Sequence, residues 1–393
     1  AQINLRRINA GSQNGVGELS LSIPMCRGLV FCFCLKIKRL MHMIIMDLKL
    51  DNLCCFRDFH VNFSYPRKVE NEYLEGFPNF RYKKINIIMG SNATGKTSLG
   101  RVILSIFNFI DKRNADIITR FISNKNKAAS FSMDFVDDNK LYRIYAVFGP
   151  SDDHIYASEN IKVHIVSTDI CLRDNYESCA KRLDSMMVEL NESNYIMELE
   201  KLRSLPIDSI FNYGIKANKK YLNVLEHTLR VLDPSISSVN RIEELKNAFV
   251  IKMADKSIII QDGKMVNDSL LSSGTKAGLD IASIVSSIKL GTHSLYYCDE
   301  KFSYVYSDIE IGFLSLMINE LKPNSQLFYT THNLDILDLP LPKHSFNFLK
   351  KDDQCISVIN AADYLKKNTD SLRNAVDNDF FSVAPGLDEI ENL

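Results

Sequence analysis

The chain has 393 residues, of which 46% are apolar, 10% aromatic and 24% charged, a balance that excludes collagen-like, mucin-like and mostly disordered proteins. Its 47 basic and 48 acidic side chains give a formal net charge of -1, so no bulk positive field attracts nucleic acid or an acidic membrane. No apolar run approaches the roughly 20 residues of a membrane helix. Nine cysteines without a CxxC pair indicate a reducing compartment, so we expect a cytoplasmic protein of two or three packed units.

The first segment, residues 1–45, has a polar start and a short apolar run at 28–35 that basic residues follow. A secretory signal has the opposite order, with its positive charges before the apolar stretch. We therefore expect a disordered or non-native extension before the folded chain. An added β-strand or a partner-docking arm is the alternative.

The next segment contains a glycine-rich motif between a strand and a helix. After an alternating pattern from residue 47 that predicts a β-hairpin, the β-branched run 84–89 predicts a buried strand, and 98–111 has the period of an amphipathic helix. Between them stands a complete G-x-x-x-x-G-K-[ST] motif. It consists of Gly90, Ser91, Asn92, Ala93, Thr94, Gly95, Lys96 and Thr97, and Ser98 follows it.

Each specified position of this motif has a physical role. The glycines let backbone N–H groups wrap a phosphate at a helix N-terminus, where the helix dipole favours negative charge. Lys96 can reach the β and γ phosphates, and the Thr97 hydroxyl can bind Mg²⁺. The segment therefore predicts a P-loop that binds ATP with Mg²⁺.

In the middle of the chain, the spacing of apolar residues changes from a strand pattern to a helical pattern and back. Residues 130–136 and 141–148 read as two antiparallel strands around a turn at 137–139, and 175–232 have apolar residues at helical spacing. Pro206 interrupts the helical stretch, and Pro234 ends it, so we predict a helical hairpin that projects from the body. Strands are then predicted at 249–253, 257–261 and 264–267.

Three further elements follow with groups that suit a nucleotide site. Ser272, Ser273 and Gly274 precede an apolar helix at about 276–290, where free N–H groups can hold an anion. An apolar strand ends in Asp299 and Glu300, which suit a Mg²⁺ ligand and a base for the attacking water. Another apolar strand ends in His332, which can hydrogen-bond the γ-phosphate or that water.

These four elements, in this order, resemble the ABC-type ATPase superfamily, with an α/β P-loop fold, an antiparallel β-layer and a helical-hairpin insertion. The resemblance divides the chain into a P-loop lobe at 46–174, a helical insertion at 175–247 and a second lobe at 248–393. It implies ATP hydrolysis with Lys96, Glu300 and His332 as catalytic residues, and a Mg²⁺ site at Thr97 and Asp299. It also implies at least a homodimer, because the serines and glycine at 272–274 would act on nucleotide held by a second copy.

Within this superfamily, the opening hairpin with Arg57 near the nucleotide is similar to the soluble RecF, SMC and OLD group rather than to transporters. The Leu-Asp-Pro-Ser-Ile stretch at 232–236, the Leu-Ser-Ser-Gly-Thr-Lys signature and the short tail most resemble the AriA-type ATPase subunits of PARIS antiphage systems. That family implies a sensor and scaffold that holds a separate Toprim-type, AriB-like nuclease until a phage protein triggers its release.

About sixty residues follow His332, too few for a further nuclease domain beside the last ATPase elements, so we expect no nuclease site in this chain. The D-x-D sequence at 377–379 is interpreted as a loop, since no apolar strand precedes it. Two alternatives stay open. One is a RecF-like DNA repair ATPase, for which DNA would be a partner although the net charge does not indicate it. The other is a scaffold that binds ATP and hardly hydrolyses it.

Overall fold

The computed structural model describes residues 43–150, 156, 158–187, 194–202, 218–254, 256–262, 264–265, 273–352, 355–367 and 370–383, with the backbone alone at 264–265 and 273–276. The strands are β1 (Ile44–Asp51), β2 (Phe59–Asn62), β3 (Tyr73–Leu74), β4 (Phe77–Arg81), β5 (Ile85–Met89), β6 (Ala129–Asp137), β7 (Lys140–Phe148), β8 (Ile161–Asp169), β9 (Ile236–Arg241), β10 (Ala248–Met253), β11 (Ser257–Gln261), β12 (Lys264–Met265), β13 (Leu295–Asp299), β14 (Gln326–Thr330), β15 (Phe346–Asp352) and β16 (Cys355–Asn360). The helices are α1 (Lys96–Lys112), α2 (Asp116–Thr119), α3 (Tyr176–Met186), α4 (Tyr195–Glu200), α5 (Lys219–Leu232), α6 (Ser273–Leu290), α7 (Ser307–Glu320), α8 (Ala361–Tyr364) and α9 (Leu372–Asp377).

A mostly parallel sheet in the order β13-β14-β5-β15-β16 lies at the centre, with β16 antiparallel to β15. All five residues of β5 are buried because helices cover both faces of this sheet. Ile87 on one face packs with residues of α6 and α7, and Ile88 on the other packs with α1. The predicted buried strand and the helix after the P-loop are both present, and the helix begins at Lys96.

An antiparallel sheet in the order β2-β1-β6-β7-β8 packs on the opposite side of α1. Phe107 and Phe109 of α1 each lie edge-on to aromatic side chains of β6, which joins helix and sheet in one core. The predicted hairpin and the two strands around residues 137–139 are present here. The sheet also contains β8, which the sequence analysis missed although Ile161, Val163 and Ile165 alternate with less buried residues.

The first strand begins slightly earlier than expected. The backbone N–H of Met43 donates to Ser294 Oγ at 2.7 Å, and that of Ile45 donates to Gln326 Oε1 at 2.9 Å. These bonds tie the start of β1 to the parallel sheet, so the fold includes residues 43–45, which were assigned to the extension. The remainder of that extension, residues 1–42, lies outside the described residues.

The described parts of the predicted helical stretch at 175–232 contain α3, α4 and α5, and each of these helices packs against a neighbouring element. α3 packs on the antiparallel sheet through Leu183, and Tyr195 of α4 stacks on Phe109 at a ring-centroid distance of 6.0 Å. α5 packs against α6 so closely that a Cβ at Gly278 would lie 2.7 Å from Leu229. Their apolar stripes are buried against those elements, and the projecting hairpin stays a prediction. Residues 188–193 and 203–217, with Pro206, lie outside the described residues.

A third sheet, in the order β12-β11-β10-β9, forms a core with α5 and α6. The three strands predicted between 249 and 267 are present, with residues 266–267 outside the described residues, and β9 is an additional one. The mixed α/β class and the antiparallel layer are thus confirmed. Among the described helices, none has the length and apolar character needed to cross a bilayer.

Candidate functional site

The motifs separated in the sequence meet at one edge of the parallel sheet. β13, β14 and β5 are adjacent and parallel, so their carboxyl ends lie side by side. The P-loop follows β5, Glu300 follows β13, and His332 follows β14 by two residues. The topology therefore brings together groups that lie more than two hundred residues apart in the sequence.

A side chain at either glycine of the P-loop would clash with its neighbours or strain the backbone. A Cβ at Gly90 would lie 2.6 Å from the carbonyl oxygen of Leu349, closer than real Cβ contacts come. Gly95 has a φ of 94°, which disfavours any residue with a side chain, and a Cβ there would lie 3.0 Å from Cys55 Sγ. Thr94 Oγ1 donates to the carbonyl of Ser91 at 2.8 Å, which closes the loop on itself. The loop is therefore compact, and its role as a phosphate cradle stays a prediction.

Lys96 lies at the first turn of α1 with only 4% of its side chain exposed. Its ammonium donates to the carbonyls of Gly90 at 2.9 Å and Ser91 at 3.1 Å, and lies 3.4 Å from Glu300 Oε1. Burial lowers the pKa of Lys96, and the nearby carboxylates of Glu300 and Asp299 oppose that effect. The side chain is therefore a cation held inside the loop, in reach of a phosphate that the loop would wrap.

Two oxygen ligands suited to Mg²⁺ lie next to this lysine. Thr97 Oγ1 and Asp299 Oδ1 are 3.2 Å apart. A hydroxyl and a carboxylate are oxygen donors of the kind that Mg²⁺ prefers, so this pair would suit that ion. Thr330 Oγ1 donates to the same Asp299 oxygen at 3.0 Å and orients the carboxylate. Magnesium sites use one or two carboxylates together with substrate phosphates, which matches this sparse set.

Glu300 is held in an unusual backbone conformation beside His332. Its φ is 47°, a left-handed value that costs a residue with a side chain on the order of 1–3 kcal/mol. Its N–H donates to Thr330 Oγ1 at 3.0 Å, while Ser303 Oγ donates to its carbonyl at 2.9 Å, and these bonds maintain the conformation. His332 Nε2 lies 3.0 Å from Glu300 Oε1. A carboxylate between a lysine and a histidine can accept a proton from water.

A buried carboxylate that the sequence analysis missed supports the end of β14. Glu310 of α7 is 5% exposed and accepts hydrogen bonds from Tyr329 Oη and Thr331 Oγ1 at 2.8 Å and from Asn333 Nδ2 at 3.0 Å. In the sequence, Glu310 is visible only as an acidic residue on an otherwise apolar helix face. It fixes the residues on both sides of His332 and so positions that side chain.

Among the other residues predicted for the site, Arg57, Ser273 and Gly274 lie in the described part of the chain. Arg57 is exposed in the loop after β1, whose neighbours Cys55 and Phe56 contact the space beside Gly95. α6 begins at Ser273, so this residue and Gly274 stand at a helix N-terminus as predicted, and their side-chain positions are not described. Ser272 lies outside the described residues.

A cavity of about 730 Å³ borders the P-loop and His332. It is lined by Met89, Gly90, Ser91, Asn92, Thr331, His332, Leu334, Phe348, Val376, Asp377 and Val383.

The D-x-D sequence does not form a strand-end pair. Asp377 is the last residue of α9, and its carboxylate accepts from Arg373 Nε of the same helix at 3.1 Å. Asp379 follows in a turn with a φ of 48°. The stretch was interpreted as a loop, which holds for residues 378–379, whereas Asp377 belongs to α9.

No protein-family model matches the sequence, and no curated protein sequence matches it. Among solved structures, the fold is similar to the SMC head domain from Thermotoga maritima, at 13% identity over 80% of this chain and 98% of that chain, with a TM-score of 0.40. It is similar to the Smc head with an extended coiled coil bound to the C-terminal domain of ScpA, derived from Pyrococcus furiosus, at 16% identity over 89% and 100%, with a TM-score of 0.48. The Smc head with a coiled coil and joint derived from Pyrococcus yayanosii gives 11% identity over 81% and 97%, with a TM-score of 0.48. At these values the similarities assign no role to any residue of this chain.

Proposed function

We propose that this protein is an ABC-type ATPase that hydrolyses ATP with Mg²⁺. The observation that carries the proposal is the convergence at one sheet edge of the P-loop lysine Lys96, the oxygen pair of Thr97 and Asp299, and the Glu300–His332 pair. Each group is held by bonds to its surroundings, so the site is organised before substrate binds. Phosphoryl transfer depends mainly on such positioning and on electrostatic stabilisation.

Each side chain has a defined part in this reaction. The P-loop N–H groups and Lys96 hold the phosphates, and Glu300 accepts a proton from the attacking water. His332, 3.0 Å from Glu300 and 41% exposed, hydrogen-bonds the γ-phosphate or that water. Magnesium held by Thr97 and Asp299 would supply positive charge beside the phosphates.

The proposed active form is at least a homodimer. The side chains of Glu300 and His332 remain 32% and 41% exposed, so the site faces outward where a second copy can cover it. Ser272, Ser273 and Gly274 of that copy would then bind the nucleotide from the other side, through N–H groups at the start of α6. Arg57 would approach the nucleotide from the loop beside Gly95. We expect ATP turnover per chain to rise with protein concentration.

The biological role that we propose is the sensor and scaffold subunit of an antiphage complex. Its support is the resemblance of the signature and the 232–236 stretch to AriA-type subunits of PARIS systems. In this proposal the ATP-bound oligomer holds a separate Toprim-type, AriB-like nuclease until a phage-encoded protein releases it.

Steady-state hydrolysis with Mg²⁺ across a wide range of protein concentrations tests the enzymatic proposal. We expect Glu300→Gln to reduce turnover by about 10²–10⁴-fold while ATP binding is retained, because the amide cannot act as the base. Wild-type turnover that Glu300→Gln leaves unchanged would contradict hydrolysis at this site. Biological function that survives Glu300→Gln but not Lys96→Ala would favour the ATP-dependent scaffold instead.

Affinity purification of Glu300→Gln protein from its native locus with ATP tests the proposed role, since this variant should accumulate the ATP-bound form. A stoichiometric Toprim-type nuclease identified by mass spectrometry would support the defence complex. Nuclease-sensitive DNA or repair proteins without an effector would favour the RecF-like alternative. The Lys96→Ala protein, purified in parallel, identifies partners that bind without nucleotide.

A further inference from the structure

A second polar cavity lies at the amino ends of the parallel strands, where β2 meets β15 and β16. It has a volume of about 390 Å³, which lies within the range of small-molecule sites. Lys83 precedes β5, Asn347 lies at the start of β15, and Asn360 ends the antiparallel β16. Asn347 lies opposite Ile88 of β5, and the next residue, Phe348, lines the P-loop cavity, so the two cavities meet β15 from opposite faces of the sheet.

The lining of this cavity carries an excess of positive charge. Lys83, Arg67 and Lys366 contribute three cations, and Asp363 contributes one anion. His60 also lines the cavity, but its ring is already engaged at 2.7 Å by Asp47. The charged lining therefore favours an anion of about two negative charges, in contrast to the near-zero charge of the whole chain.

Lys83 is a buried cation whose ammonium has N–H donors that no described residue accepts. It is 7% exposed, and its ammonium donates to the carbonyl of Asn62 at 2.9 Å. An ammonium has three N–H donors, so two remain without an acceptor among the described residues. Burial lowers the pKa of Lys83 to about 8, with Asp363 and Glu72 opposing the shift, so most of this side chain is charged at pH 7.

A buried amide in the same lining also lacks a partner. Asn347 is 2% exposed, and its Oδ1 accepts from Asn360 Nδ2 at 2.8 Å, which fixes the amide orientation. Its Nδ2 has no hydrogen-bond partner in the described part of the chain.

Lys83 and Asn347 therefore both leave N–H donors without an acceptor among the described residues in a cationic cavity, which indicates an anionic ligand that satisfies them. Phosphate carries a charge of about -1.5 to -2 and three acceptor oxygens, which matches both the charge and the donors here. Tyr65 lines the same cavity, with its ring stacked on His344 at a centroid distance of 3.8 Å, and offers an aromatic surface for an organic group.

We propose that this cavity binds a phosphate-bearing small molecule, with the phosphate held by Lys83, Asn347 and Arg67. The site is independent of the proposed ATPase function, since it shares no lining residue with the P-loop cavity. The phosphate could belong to free inorganic phosphate or to a nucleoside monophosphate, and the cavity volume suits either.

Isothermal titration of the full chain with inorganic phosphate and with AMP tests this site. The experiment uses Lys96→Ala protein, so that binding at the P-loop is weakened and contributes less to the signal. We expect saturable binding that Lys83→Met weakens roughly tenfold or more, because a hydrogen bond to a charged group contributes about 1.5–3 kcal/mol. Tighter binding of AMP than of phosphate would identify a phosphorylated organic ligand, and equal affinities would identify free phosphate.

Three matched variants make the result specific. Lys84→Met removes the neighbouring lysine, whose ammonium donates to Leu321 on another side of the strand, and should leave the affinity unchanged. Arg67→Ser alters an exposed residue and should weaken binding without affecting folding. Asp363→Asn removes the only anion of the lining among the described residues and should tighten it. Absence of saturable binding of either probe at about 10 mM, or binding that Lys83→Met and Arg67→Ser leave unchanged, would overturn the proposal.

Discussion

At the carboxyl ends of the parallel strands, the polar side chains contact one another. Lys96 lies 3.4 Å from Glu300, His332 lies 3.0 Å from the same carboxylate, and Thr97 bonds to Asp299. At the amino ends, buried polar atoms such as Asn347 Nδ2 have no partner among the described residues. One end of the sheet is thus organised without a ligand, while the other leaves its donors unsatisfied.

This difference has an energetic meaning. At the carboxyl end, a nucleotide must replace existing contacts, such as the bonds from Lys96 to the P-loop carbonyls, so binding depends on stronger charge-assisted bonds to phosphate. At the amino end, an anion would satisfy donors that otherwise cost about 1–3 kcal/mol each. The two ends therefore predict different responses to the loss of one lysine.

The largest effect is expected at the carboxyl end from Lys96→Ala. Loss of the ammonium should weaken ATP binding roughly 100-fold, because hydrogen bonds to charged groups contribute up to about 3 kcal/mol. Titration of this variant with ATP measures binding at the carboxyl end. A separate titration with inorganic phosphate measures binding at the amino end. Phosphate binding at the amino end should persist. Loss of both activities in a folded Lys96→Ala protein would show that the two ends do not act independently.

A smaller effect is expected from Thr330→Val. The Thr330 hydroxyl donates to Asp299 and accepts the N–H of Glu300, and the residue is 1% exposed, so valine keeps the volume and removes both bonds. Turnover should fall about tenfold, equivalent to about 1.4 kcal/mol in the barrier, with a higher Mg²⁺ requirement. Steady-state rates across a magnesium titration measure this.

The control for that variant is Thr331→Val, the adjacent and equally buried threonine. Its hydroxyl donates to Glu310 instead of to Asp299, so it should leave the Mg²⁺ requirement as in the wild type. An identical magnesium dependence in both variants would show that Thr330 does not orient the metal-binding carboxylate.

The contrast between the two ends of the sheet also explains which features could be predicted from the sequence. The P-loop, the acids after β13 and His332 each occupy a few consecutive residues next to a strand, so local patterns reveal them and the parallel topology brings them together. Period predicts helices between 175 and 232, but period alone does not say which surface buries an apolar stripe, so the packing of α5 on α6 could not be predicted. β8 was not predicted, although its buried residues alternate with less buried ones.

The amino-end cavity had no such signal. Arg67, Lys83, Asn347 and Lys366 come from separate segments, and none stands in a recognisable motif. An asparagine within an apolar strand was visible in the sequence, but whether its amide has a partner depends on the register between β15 and β16. Tertiary packing therefore decides this site, and only the structure reveals it.

The smallest effect concerns the pH dependence of stability at the amino end. Burial lowers the pKa of Lys83 from 10.5 to about 8, so between these values the unfolded chain binds a proton that the folded chain does not. The unfolding free energy of the wild type, measured relative to Lys83→Met, should therefore rise with pH, by about 1 kcal/mol between pH 8 and pH 9. Below about pH 7 both states carry the charge, and the difference between the two proteins should be constant. Lys351→Met, which removes an exposed lysine of β15, should show no change across this range. Chemical denaturation of the three proteins at each pH measures the effect, and a flat difference for Lys83→Met would show that this ammonium is solvated rather than buried beside the unsatisfied amide.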